Sequence, residues 1–459
     1  MSGTTLRGYL PLIALIACII ICLSTGTPLA YGLFAAVLVT VWSVRGLGYT
    51  YQQQFQFGWN GLKQTKPVLA ILFLVGLLIP LMMMAGTIPA IIYYGLSIVN
   101  VDYLFILAFL LTASVAYLLG TSVGTLSTIG LSLIGIAHAA QVPLPMIAGA
   151  LISGAMVGER FSPLSSSRLL VLASIEADEK IGRFARSTGL AATVATAMLF
   201  LLLDLLREKA SAGDVISSYQ QLLEQYFHVS WLNLIPLLVL LGSFGFRVKA
   251  IHALFYGIVA SAVLLLFTNP PQGAAFVRAM LYGFELNSQT KLDQLVHGGG
   301  MMAILAVLVL ISLAGFMNGI LNKANLLAPV INRLMGDTVN QVSLVIKSVV
   351  LSFIVIVISC NQTIPILVLG ASLPERFRQL PQGNELLGRT MLDATLIMPP
   401  LVPWNGLAMV MGVTLGISTI ETLPYMWFLL LLPLVTILFT RFASSKQVDA
   451  MPRQVNQGG

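Results

Sequence analysis

Charge is what this chain has least of. Of its 459 residues only 9% are Asp, Glu, Lys or Arg, against roughly 25% in a soluble domain. A chain of this length that faced water over its whole surface would need far more. Histidine and cysteine are also scarce, with 4 and 3 copies. Cys18, Cys22 and Cys360 lie within apolar stretches and share no Cys-x-x-Cys spacing, which argues against a disulfide framework or a zinc cluster. No clustered basic face is present either. The net charge of +7, from 24 Lys and Arg against 17 Asp and Glu, is scattered along the chain, so nucleic acid is a poor partner. The first apolar run lacks a small-residue cleavage site after it and reads as a retained span, not a signal peptide. Leu15-Ile16-Ala17-Cys18 has the look of a lipidation box, but it continues into Ile19-Ile20-Ile21.

What remains is apolar. Such residues make up 57% of the chain, and about 20 of them in a row cross a bilayer as a helix. Runs of that order lie near 9–25, 29–44, 67–88, 102–119, 188–206, 231–246, 250–268, 301–321, 341–359 and 424–441. Two further regions, 120–175 and 360–416, are apolar but interrupted by Gly, Pro, Ser, Thr and Asn. The expectation is an all-α polytopic membrane protein of about 11–13 membrane segments. Arg7, Arg45, Lys63, Lys66, Arg207, Lys209, Arg247, Lys249, Arg441, Lys446 and Arg453 flank spans, whereas the turns at 24–28 and 98–102 carry no base. That bias puts both termini on the cytoplasmic side. Glu176, Asp178, Glu179, Lys180, Arg183 and Arg186 read as a solvated loop. In the polar stretch 269–300, His297-Gly298-Gly299-Gly300 resembles an oxyanion-hole loop. Without a Gly-x-Ser-x-Gly elbow it reads as a flexible lead into the next span.

The two interrupted regions resemble each other. The first holds a Gly/Ser/Thr stretch at 120–130 and, about forty residues on, Gly158-Glu159-Arg160-Phe161-Ser162-Pro163-Leu164. The second holds Ser359-Cys360-Asn361-Gln362-Thr363 and later Asp393 through Pro400-Leu401-Val402-Pro403-Trp404-Asn405. Gly130 and Gly370 are 370 − 130 = 240 positions apart, and Pro163 and Pro400 are 400 − 163 = 237 apart. A constant offset of about half the chain points to a duplicated unit. Irregular backbone survives in hydrocarbon only where it lines an internal cavity. Pro frees carbonyls and Gly permits unwinding. Paired broken segments are therefore the sequence signature of a secondary transporter's ion site.

Charged side chains inside the membrane are expensive and usually functional or paired. Glu159 and Asp393 each precede a Pro-Leu element and are candidates to bind Na+ or an exchangeable proton. The competing readings are an ion pair of Glu159 with Arg160 and a helix N-terminal role for Asp393. Arg389 is one turn from Asp393 and a candidate partner. Asp204 and Lys347 lie within apolar runs and stay unassigned.

The stretches 120–130 and 148–158, Ser162-Pro163-Leu164-Ser165, Arg389-Thr390, Asp393, Leu401-Val402-Pro403-Trp404-Asn405, Thr414-Leu415-Gly416 and Pro424-Tyr425 resemble the NhaC family of Na+/H+ antiporters. The resemblance implies two inverted repeats, re-entrant hairpins and a Na+-linked secondary transporter of a bacterial inner membrane. The chain departs from the pattern where Ser166 and Leu392 stand in place of acids, and where Glu159 and Arg160 replace Asp and Lys. Fewer carboxylates favour neutral-oxygen coordination and transport of an organic solute.

The resulting expectation is an antiporter-like transporter without cofactor or enzymatic activity, whose partners are the bilayer, Na+ and H+. Na+-coupled movement of an amino acid or small organic acid is the alternative, and a homodimer stays open. The ion site is expected at Thr121, Ser122, Thr125, Glu159, Ser162, Asn361, Thr363 and Asp393. Ser166, Arg168, Trp404 and Asn405 are expected to contact substrate or gate it. The expected division is 1–66 for the first spans and a loop, 67–206 for the first repeat, 207–300 for linking spans, 301–423 for the second repeat and 424–459 for the last span and tail.

Overall fold

The computed structural model describes residues 2–449 apart from 99, 177–180, 208–211, 247, 269–272, 287, 291–292, 294–296, 337–339 and 381–382. Asp178, Glu179, Lys180, Lys209, Arg247 and Arg453 lie outside the described residues. In chain order the helices of the first half are α1 (Ser2–Thr25), α2 (Leu29–Arg45), α3 (Tyr51–Met84), α4 (Thr87–Ile98), α5 (Leu104–Leu119), α6 (Ser122–Ala139), α7 (Leu144–Phe161), α8 (Ser166–Ser174) and α9 (Ile181–Leu206). Then come α10 (Ala212–Tyr226), α11 (Ile235–Gly245), α12 (Ala250–Thr268) and α13 (Gly273–Tyr282). The second half has α14 (Met301–Lys323), α15 (Ala328–Met335), α16 (Gln341–Ser359), α17 (Thr363–Ser372), α18 (Pro374–Phe377), α19 (Gly383–Thr390), α20 (Gly406–Leu415), α21 (Thr419–Thr422) and α22 (Trp427–Asp449).

Among the described residues, 8 helices are long and apolar enough to cross a membrane, and counting each sharply bent pair as one span raises this to 11. The all-helical architecture therefore follows the sequence, and the number of spans reaches the expected 11–13 only when each bent pair is counted as one. One boundary differs. α3 starts at Tyr51, not near residue 67, and carries Lys63 and Lys66 within it. A reciprocal Thr50–Gln53 capping box starts it early, a strong local signal. Pro67 does not end it.

The glycine run at 298–300 is also not a loose lead. His297–Gly298 pairs antiparallel with Phe284–Glu285, and the Gly300 amide donates to the Gly76 carbonyl at 3.0 Å. Gly298, Gly299 and Gly300 all have positive φ, which this turn requires and glycine supplies without strain.

The broken regions repeat one another in structure. α5 ends on Gly120 with φ 71°, and α16 ends on Cys360 with φ 50°, 360 − 120 = 240 positions later. α7 ends at Phe161 before extended Ser162; the stretch Gly383–Leu401 ends before extended Val402, and 401 − 161 is again 240. Ser165 caps α8 and Asn405 caps α20, with the same offset. Both broken regions thus run from a helix through a left-handed break into a further helix, and end on an extended turn and a capped helix.

Tight helix contact holds the first half together. A side chain at Gly154 would meet the Phe109 carbonyl at 2.3 Å, and one at Gly158 would meet the Tyr117 amide at 2.5 Å. Small residues at this spacing let α7 lie directly on α5, as membrane helices require in the absence of a hydrophobic drive between them. Asp204, unassigned from sequence, is 1% exposed and accepts the Phe105 and Ile106 amides at 3.1 and 2.9 Å. It is a cap supplied from α9 to the start of α5, where backbone donors have no helical partner. Lys347 donates to the Met335 carbonyl at 3.0 Å, at the C-terminal end of α15.

Replacing Asp204 with Ala leaves those two buried donors unmet. It is expected to lower stability by about 1–3 kcal/mol, read as a fall in the thermal unfolding midpoint of detergent-purified protein.

Candidate functional site

The breaks are built from local capping. Thr121 starts α6, its hydroxyl accepting the Gly124 amide at 3.3 Å, while Thr125 Oγ1 donates back to the Thr121 carbonyl at 2.8 Å. Asn361 Oδ1 accepts the Thr363 amide at 2.7 Å and starts α17. Ser162 Oγ accepts the Leu164 amide at 3.1 Å and shapes the turn after α7. Helix N-termini carry unpaired amides and a partial positive charge.

A carboxylate joins the two breaks. Glu159, 5% exposed in the last turn of α7, accepts the Ser122 amide on Oε2 at 3.3 Å and Gln362 Nε2 on Oε1 at 3.4 Å. Gln362 also donates to the Leu396 carbonyl at 3.2 Å and accepts from Ser167 at 3.4 Å. It therefore ties the second break to the second broken span and to α8. Among the described residues Glu159 has only neutral donors, and its contacts are long for hydrogen bonds. An ionised carboxylate in such a place calls for a cation.

The next residue turns to a different partner. Arg160 is 3% exposed and Asp393 0%. Asp393 sits in a π turn at Met391–Thr395. Its Oδ1 accepts Arg160 Nε at 2.9 Å and also Arg160 Nη2. Its Oδ2 accepts Thr188 Oγ1 at 2.7 Å and Thr436 Oγ1 at 2.6 Å. Arg160 Nη2 further donates to the Ala185 carbonyl at 2.7 Å. Four elements, α7, α9, α22 and the π turn, meet on one buried ion pair. A side chain at Gly189 would stand 2.0 Å from Arg160 Nη1, so only glycine leaves room for the guanidinium there.

The expected site residues thus separate. Ser122 and Glu159 come together, with Thr121, Thr125, Ser162 and Asn361 shaping the backbone beside them. Thr363 is exposed and contributes its amide to the Asn361 cap. Asp393 belongs to the Arg160 cluster, where all its oxygens are engaged. Arg389 donates to Thr440 at 2.6 Å, and the residue that grips Asp393 is Arg160. Ser166 is exposed, and the Arg168 amide donates to Ser165 Oγ at 3.1 Å. Trp404 Nε1 donates to the Val357 carbonyl at 3.0 Å, and Asn405 Oδ1 accepts the Leu407 amide at 3.0 Å. The first pins the second broken region to the end of α16, and the second caps α20. Gln362, Thr188 and Thr436 were missed as individual residues. Gln362 stood between two chosen neighbours, but Thr188 and Thr436 gave no sequence signal.

A cavity of about 680 Å³ lies between α3, α4, α6, α14, α20 and residues 284–285 and 298–299, with Pro403 of the second broken region in its lining and His138, Glu285 and Thr419 among its polar residues.

Broken, capped helices around a buried carboxylate define a multi-pass membrane protein of the secondary-transporter class. Residues 179–443 match the model of the Na+/H+ antiporter family. The chain belongs to that family. It is 29% identical to the Na+/H+ antiporter NhaC of Bacillus subtilis, over 83% of this chain and 84% of that protein. It is 28% identical to NhaC of Alkalihalophilus pseudofirmus, over 85% and 86%. It is also 24% identical to the malate-2H+/Na+-lactate antiporter of Bacillus subtilis, over 87% and 86%.

Asp393→Asn leaves the Arg160 charge without its partner in the protein interior. The expected cost is about 3–5 kcal/mol, measured by thermal unfolding in detergent. Combining Arg160→Met with Asp393→Leu removes both charges and is expected to recover most of that loss.

Proposed function

We propose that the protein exchanges Na+ for H+ across a bacterial inner membrane, with Glu159 as the group that carries either ion. The observation that supports this most is the bridge from Glu159 to the Ser122 amide and to Gln362, at 3.3 and 3.4 Å. One carboxylate touches both breaks and has no cation among the described residues.

Arg160 is engaged by Asp393, which leaves Glu159 as the buried acid without a cation against it among the described residues. Ionised, it holds Na+ together with freed carbonyls and hydroxyl or amide oxygens near 121–125 and 361–363. Protonated, it needs no cation. Either loaded form is neutral, so Glu159 crosses with Na+ or with H+ and not empty. Competition for one carboxylate couples the ions one for one. The two repeats, arranged with inverted topology, move past each other to expose the site alternately, and both termini lie in the cytoplasm.

A second reading has support from the cavity that Pro403 lines. Its volume of about 680 Å³ lies in the range that holds a small organic molecule. Na+-linked exchange of an organic or amino acid fits it. Arg168, Trp404 and Asn405, expected from the sequence to contact substrate, do not line it; His138, Glu285 and Thr419 do and are the residues to vary.

Proteoliposomes decide. A Na+ gradient is expected to move protons without added solute, and the half-saturating Na+ concentration is expected to rise as pH falls. Glu159→Gln is expected to remove both effects while the protein stays folded. Proton movement that needs an added organic acid sustains the second reading instead. Full exchange by Glu159→Gln refutes the assignment of the carboxylate.

A further inference from the structure

A second set of oxygens lies further along α6. Its π turn at Leu126–Gly130 shifts the backbone hydrogen bonds out of α register, a local widening often found at functional sites. Thr128 Oγ1 donates to the Thr125 carbonyl at 2.8 Å. Ser127 Oγ and Thr414 Oγ1 find no hydrogen-bond partner among the described residues. Ser127 is 9% exposed and Thr414 only 2%. Buried hydroxyls are normally bonded, so two unmet ones at one place ask for an occupant.

Both side chains, with Thr128 and Ser132, line a cavity of about 10 Å³. That is room for about one water-sized particle. Ile79, Ile88 and Leu131 line both this pocket and the 680 Å³ cavity, so the two are neighbours. None of its lining residues is ionisable.

We propose that this pocket is a second cation site, which takes one dehydrated monovalent ion of sodium size on the neutral oxygens of Ser127, Thr128, Ser132 and Thr414. A hard cation takes oxygen ligands. A divalent ion would find no charge to balance it. An anion is disfavoured by the Glu159 carboxylate against the start of the same helix. The site has no acid, so it holds its ion without releasing a proton and passes it between the cavity and Glu159. The inference rests on the reading of the chain as a sodium carrier, but not on the role of Glu159.

Equilibrium binding of radioactive Na+ to the purified full chain in lipid nanodiscs tests it. Wild type is expected to bind two ions at saturation. Ser127→Ala combined with Thr414→Val is expected to bind one, with its half-saturating Na+ for exchange raised tenfold or more and the pH profile unmoved. Thr414→Ser keeps the hydroxyl and is expected to behave as wild type. The ion that remains on the double variant reports that it is folded. A double variant that binds as many ions as wild type leaves only water in the pocket and overturns the proposal. Two ions on Glu159→Gln would remove the carboxylate reading and leave this one standing.

Discussion

The Arg160–Asp393 pair decides what the neighbouring carboxylate is able to do. Consecutive residues in the last turn of α7 point into two clusters. Arg160 is drawn to the Ala185 carbonyl and to Asp393, whose other oxygen accepts Thr188 and Thr436. Glu159 is left with a backbone amide and a side-chain amide. Had Arg160 turned back to Glu159, the second break would face a compensated pair with no need of a cation. A buried pair adds little to stability against an apolar replacement, and its worth lies in arrangement. Here it fixes α7, α9, α22 and the second broken span around one point.

The duplication was used unequally. Moving back 240 positions from Asp393 and Thr436 gives Ser153 and Thr196, both 0% exposed with hydroxyls that lack a partner among the described residues. Moving forward by 240 from Glu159 and Arg160 gives Pro399 and Pro400. The carboxylate of the breaks comes from one repeat and the acid of the ion pair from the other.

Much of this was legible in the sequence. Runs of apolar residues gave the spans, because backbone donors in hydrocarbon leave only a helix or a closed barrel. Gly120, Pro163 and Asn361 marked the breaks, because they are the residues that end helices or cap new ones. Glu159 and Asp393 were visible as acids in an apolar context. Their division of labour was not. Adjacent residues on a helix point about 100° apart, so Glu159 and Arg160 face different neighbours, and a one-dimensional reading sees only that they touch in sequence. Thr188 and Thr436 were invisible for a related reason. A threonine in a membrane helix usually bonds the carbonyl one turn back, as Thr193 does to Gly189 at 2.7 Å, and nothing local distinguishes one that reaches Asp393.

By itself, then, the sequence determined the helical solvent-to-lipid pattern, the offset of 240 between halves, and the places where helices had to break. Those follow from composition and from the rigid preferences of glycine, proline and capping side chains. Tertiary structure decided which acid is paired with an arginine and which meets only amides, and which hydroxyls look into a cavity. These are long-range choices: they depend on which helix packs against which, and the electrostatic cost of a buried charge is set by neighbours more than two hundred residues away.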